Sequence, residues 1–188
     1  DYPAFNTSDS IEVANEVAKE FGYSHIFIKK KGFYQGALSQ QFLEESAEGT
    51  LATLEHHFEK FALFDDGNIL DSIKLFHTFN SNVVPIINKL EKYQGYLSCD
   101  DVFSEFAKYP LFSENGALLV VQINKRSYSM TDVCKIVESN NGKIYGCYIS
   151  AFEDDEVQIT LKVSSENLSS IDETFERYGY TVVLKYYD

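Results

Sequence analysis

Side chains able to do chemistry are sparse in these 188 residues, and their spacing excludes more than it offers. Adjacent His56 and His57 would point to different faces of a helix, which makes them a poor metal pair. Cys99, Cys134 and Cys147 stand far apart with no CxxC spacing, so neither a zinc site nor a disulfide framework is expected. They read as small, buried or half-buried apolar residues in a reducing compartment. No GxSxG, Walker or HExxH pattern occurs. No catalytic residue and no metal site is therefore expected. Two places retain ligand chemistry. Ser98 is followed three residues on by Asp101, a hydroxyl and a carboxylate that equally suit a helix N-cap with an acidic first turn. Lys125 and Arg126 form a cationic turn that could contact an anion, or simply face solvent.

The net charge of −13 bounds the partners. Residues 1–112 carry 17 acidic and 9 basic side chains, and residues 113–188 carry 12 and 7. Both parts are acidic, so no nucleic-acid footprint is expected, and any nucleotide site must be local and shielded. Hydrophobic residues at 44% and charged residues at 24% describe an ordinary globular chain. No apolar run is long enough to cross a bilayer, and no signal peptide is read. The chain opens on Asp1 rather than Met, from which a trimmed start is expected. A cytoplasmic location without membrane contact is the corresponding expectation.

The elements that position Ser98 come from an internal repeat. The hexapeptide YQGALS (Tyr34 to Ser39) recurs as YQGYLS (Tyr93 to Ser98), 59 residues later. Further back the offset is 58, pairing Ser10-Ile11 with Asn68-Ile69, Phe21 with Phe79, and Ile28 with Ile86. One extra residue in the turn between strands accounts for the change. In the first copy Ile11, Ala14, Val17, Ala18 and Phe21 fall on one helical face, behind a cap at Ser8 or Asp9. Ile69, Ile73, Phe76 and Phe79 do so in the second, with Asn68 as cap. An apolar strand, a polar turn, the YQGxLS strand and a second helix (Gln40–Glu45 or Cys99–Lys108) complete each copy. Residues 46–61 form a partly helical connector.

This unit resembles a CBS domain, whose tail reads apolar-Pro-apolar-apolar, turn, Tyr-x-Gly-x-Leu-Ser, x-x-Asp. The second copy carries that tail as VVPII…KYQGYLSCDDV. The resemblance implies a paired (Bateman) module of two βαββα repeats, with an adenosine-containing ligand in a cleft between them. A Ser-x-x-Asp would then hold the ribose hydroxyls, so Ser98 and Asp101, with Val84 and Pro85 on the preceding strand, are the implied ligand residues. The first copy keeps Ser39 but has Phe42 at the Asp position and Phe27 at the Pro position, which predicts binding in the second copy and not the first. A phosphate would need a base, and Lys89, Lys92 and His77 are candidates by region.

After residues 111–116, the pattern reads strand, helix, strand, strand, helix, strand, a ferredoxin-like βαββαβ order. Strands are expected over 117–123, 143–151, 156–163 and 181–187. A helix capped by Ser129 should bury Met130, Val133, Ile136 and Val137 and stop at Gly142, and a second should bury Leu168, Ile171, Phe175 and Tyr178. The stretch MTDVCKIVESNNGKIYGCYIS resembles an ACT domain, and the whole order resembles the acetoin-utilisation family of CBS–ACT proteins. The loop Asn124–Ser129 lacks the glycine that opens an ACT amino-acid site, and Tyr128 puts bulk there. The implied organisation is 1–60, first motif and connector; 61–112, second motif; 113–188, ACT-like domain. The implied protein is α/β (α+β), regulatory and non-enzymatic, with an adenine nucleotide or S-adenosylmethionine-type ligand, no required cofactor and an unidentified protein target. Homodimerisation is expected through Phe42, Leu43, Val102, Phe103 and Phe106. The alternative is a protein-interaction scaffold whose ligand sites have decayed.

Overall fold

The computed structural model describes residues 2–187, and Asp1 lies outside them. The chain divides into two compact units, Asp1–Glu105 and Phe106–Asp188. In the first, β1 (Phe5–Asn6), α1 (Ile11–Phe21), β2 (His25–Lys30), β3 (Phe33–Ser39) and α2 (Gln40–Glu45) form one repeat. A 3-10 helix, Leu51–His57, leads to β4 (Leu63–Phe64), α3 (Ile69–Thr78), β5 (Val83–Ile87), β6 (Tyr93–Ser98) and α4 (Cys99–Phe106). Each repeat is a βαββα unit whose three-stranded sheet has the first strand parallel and the third antiparallel to the central one.

Local chemistry sets the element ends. Ser10, not Ser8 or Asp9, caps α1, its Oγ accepting from Val13 N. Asp9 instead turns back to accept from Asn6 N at 2.7 Å. Gly22 ends the helix in the left-handed region, at φ 66°. Ile11, Ala14 and Ala18 are buried as the periodicity requires, whereas Phe21 and Ile73 stay partly exposed. Both hairpins carry a register shift at the same place, between Ile28 and Lys29 and between Ile86 and Ile87. Only the turn beyond it differs, by the one residue that changes the repeat offset from 58 to 59.

The repeats face each other about an approximate two-fold axis that hydrogen bonds make visible. Ser24 N donates to Asn82 Oδ1 at 2.8 Å, and Asn82 N donates back to Ser24 Oγ at 2.9 Å. At the turns, Tyr34 N donates to Glu91 O at 2.8 Å and Tyr93 N to Gly32 O at 3.1 Å. One core results, running from Tyr2, Phe5 and the β2 run Ile26-Phe27-Ile28 to Val83 and Val84.

The second unit contains α5 (Pro110–Ser113), β7 (Ala117–Asn124), α6 (Met130–Ser139), β8 (Ile144–Glu153), β9 (Glu156–Val163), α7 (Leu168–Arg177) and β10 (Thr181–Tyr187). Its four-stranded sheet has the order β10-β7-β9-β8, the ferredoxin-like βαββαβ arrangement. Ser129 caps α6, accepting from Asp132 N at 3.3 Å. The helix ends earlier than Gly142, through left-handed Asn141. Gly142 is needed for room instead, since a Cβ there would lie 2.8 Å from Val137 Cγ1. Val133, Ile136, Val137, Ile171 and Phe175 fill the core. Tyr178 does not join them, because α7 stops at Arg177; after the Gly179 turn, Tyr180 is the ring that is buried.

Candidate functional site

The end of β3, where the first repeat passes into α2, opens onto a cleft of about 520 Å3. Ser24, His25, Leu38, Ser39 and the α2 residues Gln40, Gln41 and Phe42 form one wall. Phe79 and Asn80, beyond α3 of the second repeat, form another, and the connector supplies His57 and Glu59. The volume suits a small organic ligand, and the mixture of rings with a few converging polar groups is what such sites use.

Each polar group is held by its own local structure. Ser39 is spent as the α2 cap, its Oγ accepting from Phe42 N at 3.1 Å. Phe42, the residue at the expected aspartate position, packs its ring against His57 with centroids 4.8 Å apart. Glu59 is fixed by its backbone, which exchanges hydrogen bonds with Ala37 at 2.8 and 2.9 Å. That pairing is possible because Gly36, at φ 148°, carries no Cβ; one would stand 2.7 Å from Phe58 Cβ. Glu59 Oε2 then lies 3.3 Å from Nε2 of His25, a buried ring whose Nδ1 is 2.9 Å from Ser24 Oγ. Burial pulls the His25 pKa below its ordinary value, and the Glu59 carboxylate opposes that shift.

The second repeat brings Ser98 and Asp101 together, but on each other. Asp101 Oδ2 accepts from Ser98 Oγ at 2.6 Å and from Ser98 N at 2.9 Å, while Ser98 Oγ accepts from Asp101 N at 3.1 Å. This is a reciprocal cap on α4. The Ser98 hydroxyl, then its backbone N–H, hold the Asp101 carboxyl below its usual pKa. Val84 and Pro85 are buried in β5. Rings occupy the surroundings: Tyr2 lies 4.7 Å from Tyr23, 5.8 Å from Tyr96 and 5.2 Å from Phe21 between centroids. Tyr2 is 3% exposed and its hydroxyl donates to His25 O at 2.8 Å. Burial and then neighbouring Tyr96 raise the Tyr23 phenol, while its hydrogen bond with Ser98 lowers it.

In the second unit, Lys125 is engaged rather than open. Its Nζ donates to Asp154 O and lies 5.7 Å from the Phe152 ring centroid. Arg126 is exposed on the turn. All three cysteines are free and half-buried; burial, then Cys134, push the Cys147 thiol up to about 11. Among the described residues no group of three or more His, Cys, Asp or Glu could hold a metal ion. No described helix is long and apolar enough to cross a membrane.

No protein-family model matches the sequence, and no curated protein matches it. Solved structures do match. A CBS domain pair/ACT domain protein from Thermotoga maritima aligns with a TM-score of 0.51 at 15% identity, over 57% of this chain and 90% of that one. Over the aligned part, the chain has the fold of a CBS domain pair. CBSX2 in complex with AMP aligns at TM-score 0.45 and 16% identity, over 57% of this chain and 89% of its own. A CBS domain pair in complex with 5′-methylthioadenosine and S-adenosyl-L-methionine aligns at TM-score 0.43 and 15% identity, over 56% and 93%. At these identities the likeness is one of fold.

His25, Glu59 and the placement of His57 escaped sequence reasoning. A signal existed for His25: it aligns with Val83 across the repeat, a polar ring where the sister strand has valine. Glu59 had none, because a strand-edge bridge between residues 37 and 59 leaves no periodic mark.

Proposed function

We propose that the protein is a non-catalytic regulatory module, cytoplasmic and dimeric, that takes an adenine-containing metabolite between its two repeats and relays occupancy to a protein target. The open cleft at the end of β3 is the observation that carries this reading. Its rings can stack on a base, its amide and imidazole groups can hydrogen-bond base edges, and both repeats contribute walls. A ligand there bridges the repeats, so its differential affinity for two packings can shift a dimer between them. Phe103, 70% exposed on α4, with Leu70 and Ile73 on α3, supplies apolar surface for that contact. Leu43 and Val102 are buried within the protomer and belong to its own core. The choice of adenine rests on the resemblance of the repeats to CBS motifs. The second unit serves as an ACT-like interaction module, with the Lys125-Arg126 turn as a minor anion contact.

Ser98, Asp101, Val84 and Pro85 would make a second adenosine site only if Tyr23 and Tyr2 swung away. The primary site of this proposal is therefore the first repeat. A thermal-shift and calorimetric screen with adenosine, AMP, ATP, S-adenosylmethionine and NAD tests it. A ligand at about 100 times its Kd adds about 2.7 kcal/mol of stability. A flat titration with every adenine compound at millimolar concentration would replace this reading with the scaffold one, to which the ring-filled second cleft already lends support.

A further inference from the structure

The cleft at the end of β3 has a lopsided charge inventory. Among the described residues its lining includes no lysine and no arginine, and its one formally charged side chain is the Glu59 carboxylate. Lys19, on the neighbouring helix α1, has its Nζ on Glu44 Oε1 at 2.6 Å. The helix that begins at the cleft, α2, has six residues, and two of its first backbone N–H groups are used: Gln40 N donates to Ser24 O at 2.7 Å and Phe42 N to Ser39 Oγ. The buried His25 ring faces Glu59, with Nε2 3.3 Å from Oε2.

A phosphate monoester carries nearly two negative charges at neutral pH and binds where Arg, Lys or several convergent backbone N–H groups meet it. This cleft offers amides, rings and a carboxylate instead. A carboxylate accepts from sugar hydroxyls and attracts cations, and it repels a phosphate through a partly desolvated space. We infer that this cleft selects uncharged or positively charged nucleosides over phosphorylated ones, with Glu59 as the specificity-determining residue. The inference rests on the cleft being a nucleoside site, as proposed above. It assigns Glu59, from the connector, the carboxylate role that Phe42 cannot fill at the motif position.

The test uses the intact protein and three probes: adenosine, AMP and S-adenosylmethionine, each titrated calorimetrically. Adenosine and S-adenosylmethionine should bind at least tenfold more tightly than AMP at low ionic strength. Raising salt from about 0.01 M to about 1 M shortens the screening length from about 30 Å to about 3 Å and should narrow the gap between adenosine and AMP. Glu59→Gln should narrow it further, by improving AMP and weakening S-adenosylmethionine. That variant keeps the Ala37 pairing, which uses only backbone atoms, and the salt series on unmodified protein stands even if it folds poorly. AMP binding within threefold of adenosine, or a gap that neither salt nor Glu59→Gln changes, overturns the selectivity while leaving the nucleoside site intact. Failure of all three probes at millimolar concentration overturns the site and the selectivity together.

Discussion

The two repeats share the pattern YQGxLS, a bulge position and a serine cap, yet one borders an open cleft and the other is packed with rings. The difference comes from what precedes each first strand. Before β4 runs the connector, which lays Phe58 and Glu59 along the edge of β3 and leaves a gap between Glu59, Phe42 and Phe79. Before β1 stands Tyr2, whose ring settles among Phe21, Tyr23, Phe27 and Tyr96. Duplicating a motif thus duplicates strands and caps but not the clefts, because the clefts are finished by segments outside the motif. A search of the motif alone finds Ser98 and Asp101 and overlooks Glu59.

The largest expected effect separates the two glycines of the YQG motif. At Gly36 a Cβ would meet Phe58 Cβ at 2.7 Å and Glu59 O at 3.1 Å, and the φ of 148° disfavours any side chain. At Gly95 nothing lies within 4 Å of the added atom. Gly36→Ala should cost about 3–5 kcal/mol from clash and backbone strain together. Gly95→Ala should stay within about 1 kcal/mol. Urea unfolding of the two variants measures this directly. Similar losses in both would mean that the connector is not seated on β3, and the cleft would lose its third wall.

How much of this was legible beforehand follows from the kind of interaction involved. Helical faces such as Ile11, Ala14 and Ala18, the β2 run Ile26-Phe27-Ile28, and the Asn68 and Ser129 caps are local patterns, and local patterns are visible in sequence. The repeat revealed the fold because two copies of one pattern constrain each other. What stayed hidden was non-local: the Ala37–Glu59 bridge, the His25–Glu59 contact, and Tyr2 seated against residues 21 to 96. Phe42 stands at the position where the motif has aspartate, and nothing in the local sequence says where its ring goes. In the structure it lies aside on His57, and the cleft stays open.

A smaller effect distinguishes the two motif tyrosines. The Tyr34 hydroxyl donates to Phe61 O at 2.8 Å, at the foot of the connector. The Tyr93 hydroxyl is buried with no hydrogen-bond partner among the described residues. Losing a satisfied bond while stranding its acceptor costs about 1 kcal/mol, whereas removing an unpartnered hydroxyl relieves a desolvation cost. Tyr34→Phe should therefore destabilise by about 1 kcal/mol, and Tyr93→Phe should be neutral or slightly stabilising. Equal losses from the two changes in denaturant midpoint at constant m-value would show that Tyr93 has found a partner and that the asymmetry is shallower than described.

The smallest expected effect bears on which repeat holds the ligand. Asp101 is an exposed carboxylate closing a reciprocal cap with Ser98, so Asp101→Ala should cost about 0.5–1 kcal/mol, at the low end for a solvent-screened cap. The folded-state pKa of Asp101 is depressed, so its contribution is present above the unfolded value near 3.9. It is lost as pH falls through the folded value, where both states become protonated. The stability gap between wild type and Asp101→Ala should thus be constant near neutrality and close in acid, which urea melts across pH would follow. A capping role makes a second demand: adenosine affinity should not change, because the open cleft lies in the other repeat. A tenfold loss of adenosine affinity in Asp101→Ala would return the ligand to the second repeat. Tyr2 and Tyr23 would then have to be a lid that the ligand displaces, and the ring-filled cleft would be the closed state of the true site.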